Sequence, residues 1–144
     1  MTRRSSLSRP VPVDRLPSAG RSVVVEATAE EREALAREFG LVAVGALTGR
    51  FRLTGDLARV HVRGSVEAQV TQTCVVTLDP FDAAVKEEVD LEFTEETREP
   101  AGQEALREID PPDEIVNGRI DLGSVTAEFL ALGLDPYPRK PGAS

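Results

Sequence analysis

The sequence predicts an α+β fold, mainly an antiparallel, twisted β-meander curling toward a partly closed barrel, with one N-terminal and one C-terminal helix. Three observations carry that expectation. Between Leu41 and Thr94 apolar and polar residues alternate with a period of two. Thr28 and Glu31 form a capping-box pattern, and Gly40 closes the short helical segment that follows. Leu122, Val125, Phe129 and Leu132 then recur at helical spacing near the end of the chain. The 144 residues, 40% hydrophobic and 29% charged, suit a single domain that folds without a metal or a disulfide.

Each element has a local reason. Residues 1–20 combine Arg3, Arg4 and Arg9 with Pro10, Pro12 and Pro17 and are expected to form a basic mobile arm. The core is expected over 21–94. Arg21 to Ala27 is short and β-branched and reads as a strand. The helix after Thr28 runs to about Phe39 and offers Leu35 and Phe39 to the core.

Val42, Val44 and Leu47 lead into Phe51 and Leu53, and Thr54-Gly55-Asp56 turns the chain. Leu57, Val60 and Val62 resume the alternation, with Gly64 marking a bulge or sharp bend. Val66, Ala68, Val70, Cys74, Val76 and Leu78 continue on one parity as far as the turn at Asp79-Pro80. Phe81, Ala83, Val85, Val89, Leu91 and Phe93 alternate with an acidic outer face.

Residues 95–113 are acidic and punctuated by proline, a composition expected to give a mobile loop. Residues 114–135, in the same domain, are expected to form a hairpin around Asn117-Gly118 and a C-terminal helix capped by Asp121. Residues 136–144 read as a tail carrying Arg139 and Lys140.

Charge narrows the function classes. The net charge is −8, yet residues 1–63 carry +4 and residues 64–144 carry −12. Overall acidity opposes indiscriminate nucleic-acid binding. No stretch is long and apolar enough for a membrane span, and no secretory signal pattern opens the chain, so a cytoplasmic protein without a membrane partner is expected. One cysteine and one histidine exclude a disulfide and a structural zinc site of Cys and His. Gly-rich phosphate loops, GxSxG and HExxH are all missing, so neither an enzyme nor a cofactor is expected.

The β-hairpin pattern holds the candidate nucleic-acid-binding residues. Arg50 and Arg52 oppose Phe51 and Leu53 in facing, while Arg59, His61 and Arg63 oppose Val60 and Val62. One sheet face would then carry all five, as RNA-backbone-binding sheets do. The same spacing fits a solvated face paired with Glu67 or with Glu88, Asp90 and Glu92, and the lack of an outward aromatic favours that plainer reading.

Cys74 shares parity with Val70 and reads as a buried small hydrophobe rather than a nucleophile. Glu88, Asp90, Glu92, Asp110, Asp113 and Glu114 form a candidate surface for a basic protein. Asp110, Asp113 and Glu114 lack the rigid spacing of a metal loop, and no metal site is expected.

Four segments in order carry a family resemblance: Ser8-Arg9-Pro10-Val11, the helix from Glu30 to Arg37, the turn Gln72 to Phe81, and the ending Ile120 to Lys140. Together the chain resembles the bacterial YceD family of large ribosomal RNA subunit accumulation proteins, in its alphaproteobacterial-type variant. Many members carry Cys-x-x-Cys at the turn; here Cys74 matches the first position and Thr77 stands at the second. The resemblance implies a non-catalytic ribosome-biogenesis factor supporting synthesis, processing or stability of large-subunit rRNA. It would bind rRNA or its precursors, a basic ribosomal protein, or both. The alternative is a generic acidic protein-interaction module unrelated to ribosomes.

Overall fold

Alternation leaves one apolar side on each long strand, and burying those sides together builds the core. A computed structural model describes residues 7–56, 58–94, 113–115 and 118–139. In order they form β1 (Pro10–Pro12), β2 (Arg21–Glu26), α1 (Ala29–Phe39), β3 (Ala43–Asp56), β4 (Arg59–Thr73) and β5 (Pro80–Thr94). β6 (Asp113–Glu114), β7 (Arg119–Asp121) and α2 (Leu122–Gly133) follow. β2 to β5 are a continuous antiparallel meander, and β6 joins β5 in parallel to complete a five-stranded sheet. This sheet is open, with edges at β2 and β6, rather than closed into a barrel. β1 and β7 pair separately.

The inner face buries Phe51, Leu53, Val60, Val62, Val66 and Val89, among others. α2 lies across it. A Cβ on Gly49 would meet the Phe51 ring and Thr126 Oγ1 at 2.6 Å, and one on Gly133 would meet Val85 Cγ1 at 2.5 Å. The α2 face turned inward is Leu122, Val125, Thr126 and Leu130; Leu132, expected there from its spacing, is 66% exposed. α1 keeps its capping box, and Gly40 closes it at φ 69°, the left-handed region that favours glycine.

A bulge between Val44 and Ala46 changes the parity of β3 and explains why Val44 and Leu47 are both buried. No bulge occurs at Gly64, which pairs in register with Phe51 and Val89. Its glycine has a spatial reason instead: a Cβ there would collide with the Arg50 carbonyl oxygen. The parity of β4 ends at Thr73 rather than Leu78. Cys74 is buried, but Val76 is 44% and Leu78 75% exposed. The Leu78 N–H donates to the Cys74 carbonyl at 2.8 Å, and this turn holds Leu78 at φ 65°.

Two other expectations are corrected. Leu7, Val11 and Val13 fall within the arm assigned as mobile, yet all three are buried, and β1 is bonded to β7. Apolar burial anchors this part of the segment despite its prolines, two of which occupy the short paired strand where few donors are needed. Among the described residues β6 and β7 do not pair as the expected Asn117-Gly118 hairpin: β6 pairs with β5 and β7 with β1. Gly118 does adopt φ 70°, the left-handed region that favours glycine, while longer-range pairing decides the partners. Of the acidic loop, only residue 113 is described.

Candidate nucleic-acid interface

β3 and β4 place every cation of the expected set on one face. Arg50, Arg52, Arg59 and Arg63 are exposed and His61 is half-buried, all opposite in facing to buried Phe51, Leu53, Val60 and Val62. The register turns this face into rows across β2, β3, β4 and β5. One row reads Ser22, Arg52, Arg63, Asp90, and the next reads Val24, Arg50, Ser65, Glu88. A third reads Thr54, His61, Glu92. Guanidiniums fill the middle, neutral side chains border them on β2, and carboxylates border them on β5.

The five residues fall into two groups. Arg59 pairs with Glu92 at 3.4 Å, and His61 Nε2 lies 2.5 Å from Asp90 Oδ1. For these two the solvated, paired face describes the geometry well. Arg50, Arg52 and Arg63 are different. Arg52 donates to Ser22 Oγ at 3.3 Å and to the Ala19 carbonyl, and it forms no ion pair among the described residues. Arg50 and Arg63 have neither a hydrogen bond nor an ion pair among the described residues.

Arg52 sits directly opposite Arg63 in the register. Like charges in that position destabilise a sheet, by up to about 1 kcal/mol. An anion laid over the pair would remove the repulsion and accept bidentate hydrogen bonds from both guanidiniums.

Glu88, Asp90 and Glu92 are exposed along β5. The His61 hydrogen bond holds the Asp90 carboxyl below its ordinary range, with Arg63 adding a weaker pull. Lys86 interrupts the acidic run and lies 3.9 Å from Glu67. Asp110 and the side chains of Asp113 and Glu114 lie outside the described residues; β6 is the backbone that carries the last two.

One charge cluster had no local signal in the sequence. The Arg9 guanidinium grips Glu31 with two hydrogen bonds of 2.7 Å, and Glu31 also accepts from the Thr28 N–H at 2.8 Å. The Arg9 backbone N–H donates to Asp121 at 2.7 Å, and Asp121 in turn caps α2 through the N–H groups of Gly123 and Ser124. The Arg9 bonds, helped by Thr28, bring the Glu31 carboxyl down to about 2. Burial would raise Asp121, but the donors from Arg9, Ser8 and Ser124 outweigh it and hold that carboxyl low.

The cysteine turn packs on the chain exit. Val75 N–H donates to the Pro138 carbonyl at 2.8 Å, and Gln72 Nε2 to that of Asp135 at 3.3 Å. Cys74 is buried and His61 stands on the opposite face, so the two are not brought together. Among the described residues no cluster of three His, Cys, Asp or Glu suited to a metal is found, and no helix is long and apolar enough to cross a membrane.

A family model for the large ribosomal RNA subunit accumulation protein YceD matches residues 62–144. The chain belongs to the YceD family, and membership implies involvement in the accumulation of large-subunit ribosomal RNA. The comparison with curated proteins gives no match, and neither does that with solved structures. The matched span takes in Arg63 and the β5 carboxylates, whereas Arg50, Arg52, Arg59 and His61 lie ahead of it.

Proposed function

We propose that this YceD-family chain is a non-catalytic ribosome-biogenesis factor that supports synthesis, processing or stability of large-subunit rRNA by binding the RNA itself. Arg50, Arg52 and Arg63 take the phosphates, and Arg59 and His61 join when the anion competes with Glu92 and Asp90. The single observation that carries this reading is the like-charged facing of Arg52 and Arg63, neither of which closes an ion pair among the described residues. A purely structural face would gain stability from opposite charges there.

Titration against a large-subunit rRNA fragment at two salt concentrations tests it. Affinity falls steeply with salt and weakens when Arg50, Arg52, Arg59 and Arg63 become Ala. Absence of binding, or binding indifferent to those changes, rejects the interface.

A second reading draws on the exposed column of Glu88, Asp90 and Glu92 and on the net charge of −8. These carboxylates would hold a basic ribosomal protein before it meets rRNA. Capture of purified basic large-subunit proteins, lost in E88Q/D90N/E92Q, supports it. The two surfaces adjoin, so one factor could present a protein and an RNA side by side.

A further inference from the structure

We infer that the Arg50–Arg52–Arg63 strip takes one phosphate ridge of double-helical RNA rather than an unpaired strand, an inference that rests on the RNA reading above. Two features of the outer face point there. The first is what the strip lacks. Unpaired strands are held largely by bases stacked on aromatic side chains, each stack worth about 1–3 kcal/mol. On the described outer face no aromatic is present: Phe51, Phe81 and Phe93 pair with Gly64, Gln72 and Val60, on the inner parity. A double helix keeps its bases stacked internally and asks only for contacts to phosphate and sugar oxygens.

The second feature is the border. Paired residues on neighbouring strands lie about 5 Å apart and alternate residues along a strand about 7 Å apart, so the guanidiniums make a short strip about two strands wide. Ser65 stands beside Arg50 across the pair, and Thr54 lies two residues along β3 from Arg52, each with a hydroxyl suited to sugar or phosphate oxygens. On β5, Glu88 and Asp90 are the immediate neighbours of Ser65 and Arg63 and repel any second run of phosphates on that side. On β2, the positions beside Arg52 and Arg50 are Ser22 and Val24, which repel nothing, and the carboxylate on this face of the strand, Glu26, stands one row further on beside Thr48, away from the arginine rows. A duplex therefore docks one ridge on the arginines with its body toward β2, and the acidic column sets which way it lies.

The test uses the full chain with three probes at low salt: a 20-base-pair RNA duplex, a second duplex of scrambled sequence, and a 20-nucleotide oligouridine. The two duplexes should bind within about twofold of each other and at least tenfold more tightly than oligouridine. R50A/R52A/R63A removes duplex binding, whereas E88Q/D90N/E92Q preserves or strengthens it. Oligouridine binding as tightly as the duplexes, still dependent on the arginines, overturns the duplex inference and leaves the phosphate reading standing. Failure of all three probes to bind overturns both.

Discussion

Arginine has opposite settings in two parts of this molecule. Arg9 is gripped by Glu31, its backbone is tied to Asp121, and its partners' carboxyls are held low. Arg63 faces another arginine and has no ion-pair partner among the described residues. The first arrangement closes a network: it joins the N-terminal segment, the α1 capping box and the α2 cap, three places distant in sequence. The second sets two guanidiniums side by side on the sheet, with Asp90 beside Arg63 but no ion pair closed among the described residues. The difference separates an arginine whose charge is spent within the fold from one that closes no ion pair there, which is the distinction the proposed RNA contact uses.

The largest effect should come from removing the unmatched charge. R50A/R52A/R63A is expected to weaken binding of a large-subunit rRNA fragment by about 100-fold at low salt while the urea midpoint holds or rises slightly, since the like-charge opposition of Arg52 and Arg63 is removed with it. Loss of folding together with binding would erase the distinction between the two regions.

Next in size is the converse change. R9A is expected to cost about 2 kcal/mol, a tempered figure because the two side chains are 34% and 21% exposed, with RNA affinity unchanged within about twofold. Acid sharpens this. Glu31 is held at about 2 against its ordinary 4.5. Its contribution is therefore complete above about 4.5 and fades as pH falls toward 2. Urea midpoints of parent and E31Q should converge across that window.

A smaller effect is expected on β5. E88Q/D90N/E92Q removes the carboxylates beside Arg59, His61 and Arg63, and if these cations meet phosphate as proposed, RNA affinity should rise by about tenfold. The smallest concerns the cysteine turn. Leu78 is 75% exposed at φ 65°, so L78G relieves backbone strain without emptying a core site and should raise stability by about 1 kcal/mol in urea denaturation.

Much of this was legible from alternation. Period-two spacing put Arg50, Arg52, Arg59, His61 and Arg63 on one side and Phe51, Leu53, Val60 and Val62 on the other, as the structure has them. Capping residues located both helix starts at Thr28 and Asp121. Alternation alone, however, carries no stop signal: Val76 and Leu78 keep the parity of β4 after the backbone has already turned at Cys74. Turn chemistry is equally local. Gly118 takes the expected left-handed conformation, yet β6 and β7 find partners elsewhere, on β5 and β1.

The Arg9 network was invisible for a related reason, since 112 positions separate Arg9 from Asp121. The opposition of Arg52 and Arg63 is a matter of register: β3 runs through the expected turn at Thr54-Gly55-Asp56 and pairs Gly55 with Val60 and Asp56 with Arg59, whereas a turn centred on Gly55 would have set Arg52 opposite Ala58.

The most direct test of the central claim is the salt dependence of rRNA-fragment binding, measured as the slope of log affinity against log salt for the parent and for R52A/R63A. If the facing pair holds phosphates, the variant's slope is shallower by about 1.5 to 2, close to one counterion for each phosphate that an arginine had neutralised. Parallel slopes would mean that these two arginines never meet the RNA, and the unmatched face would have to be explained without it.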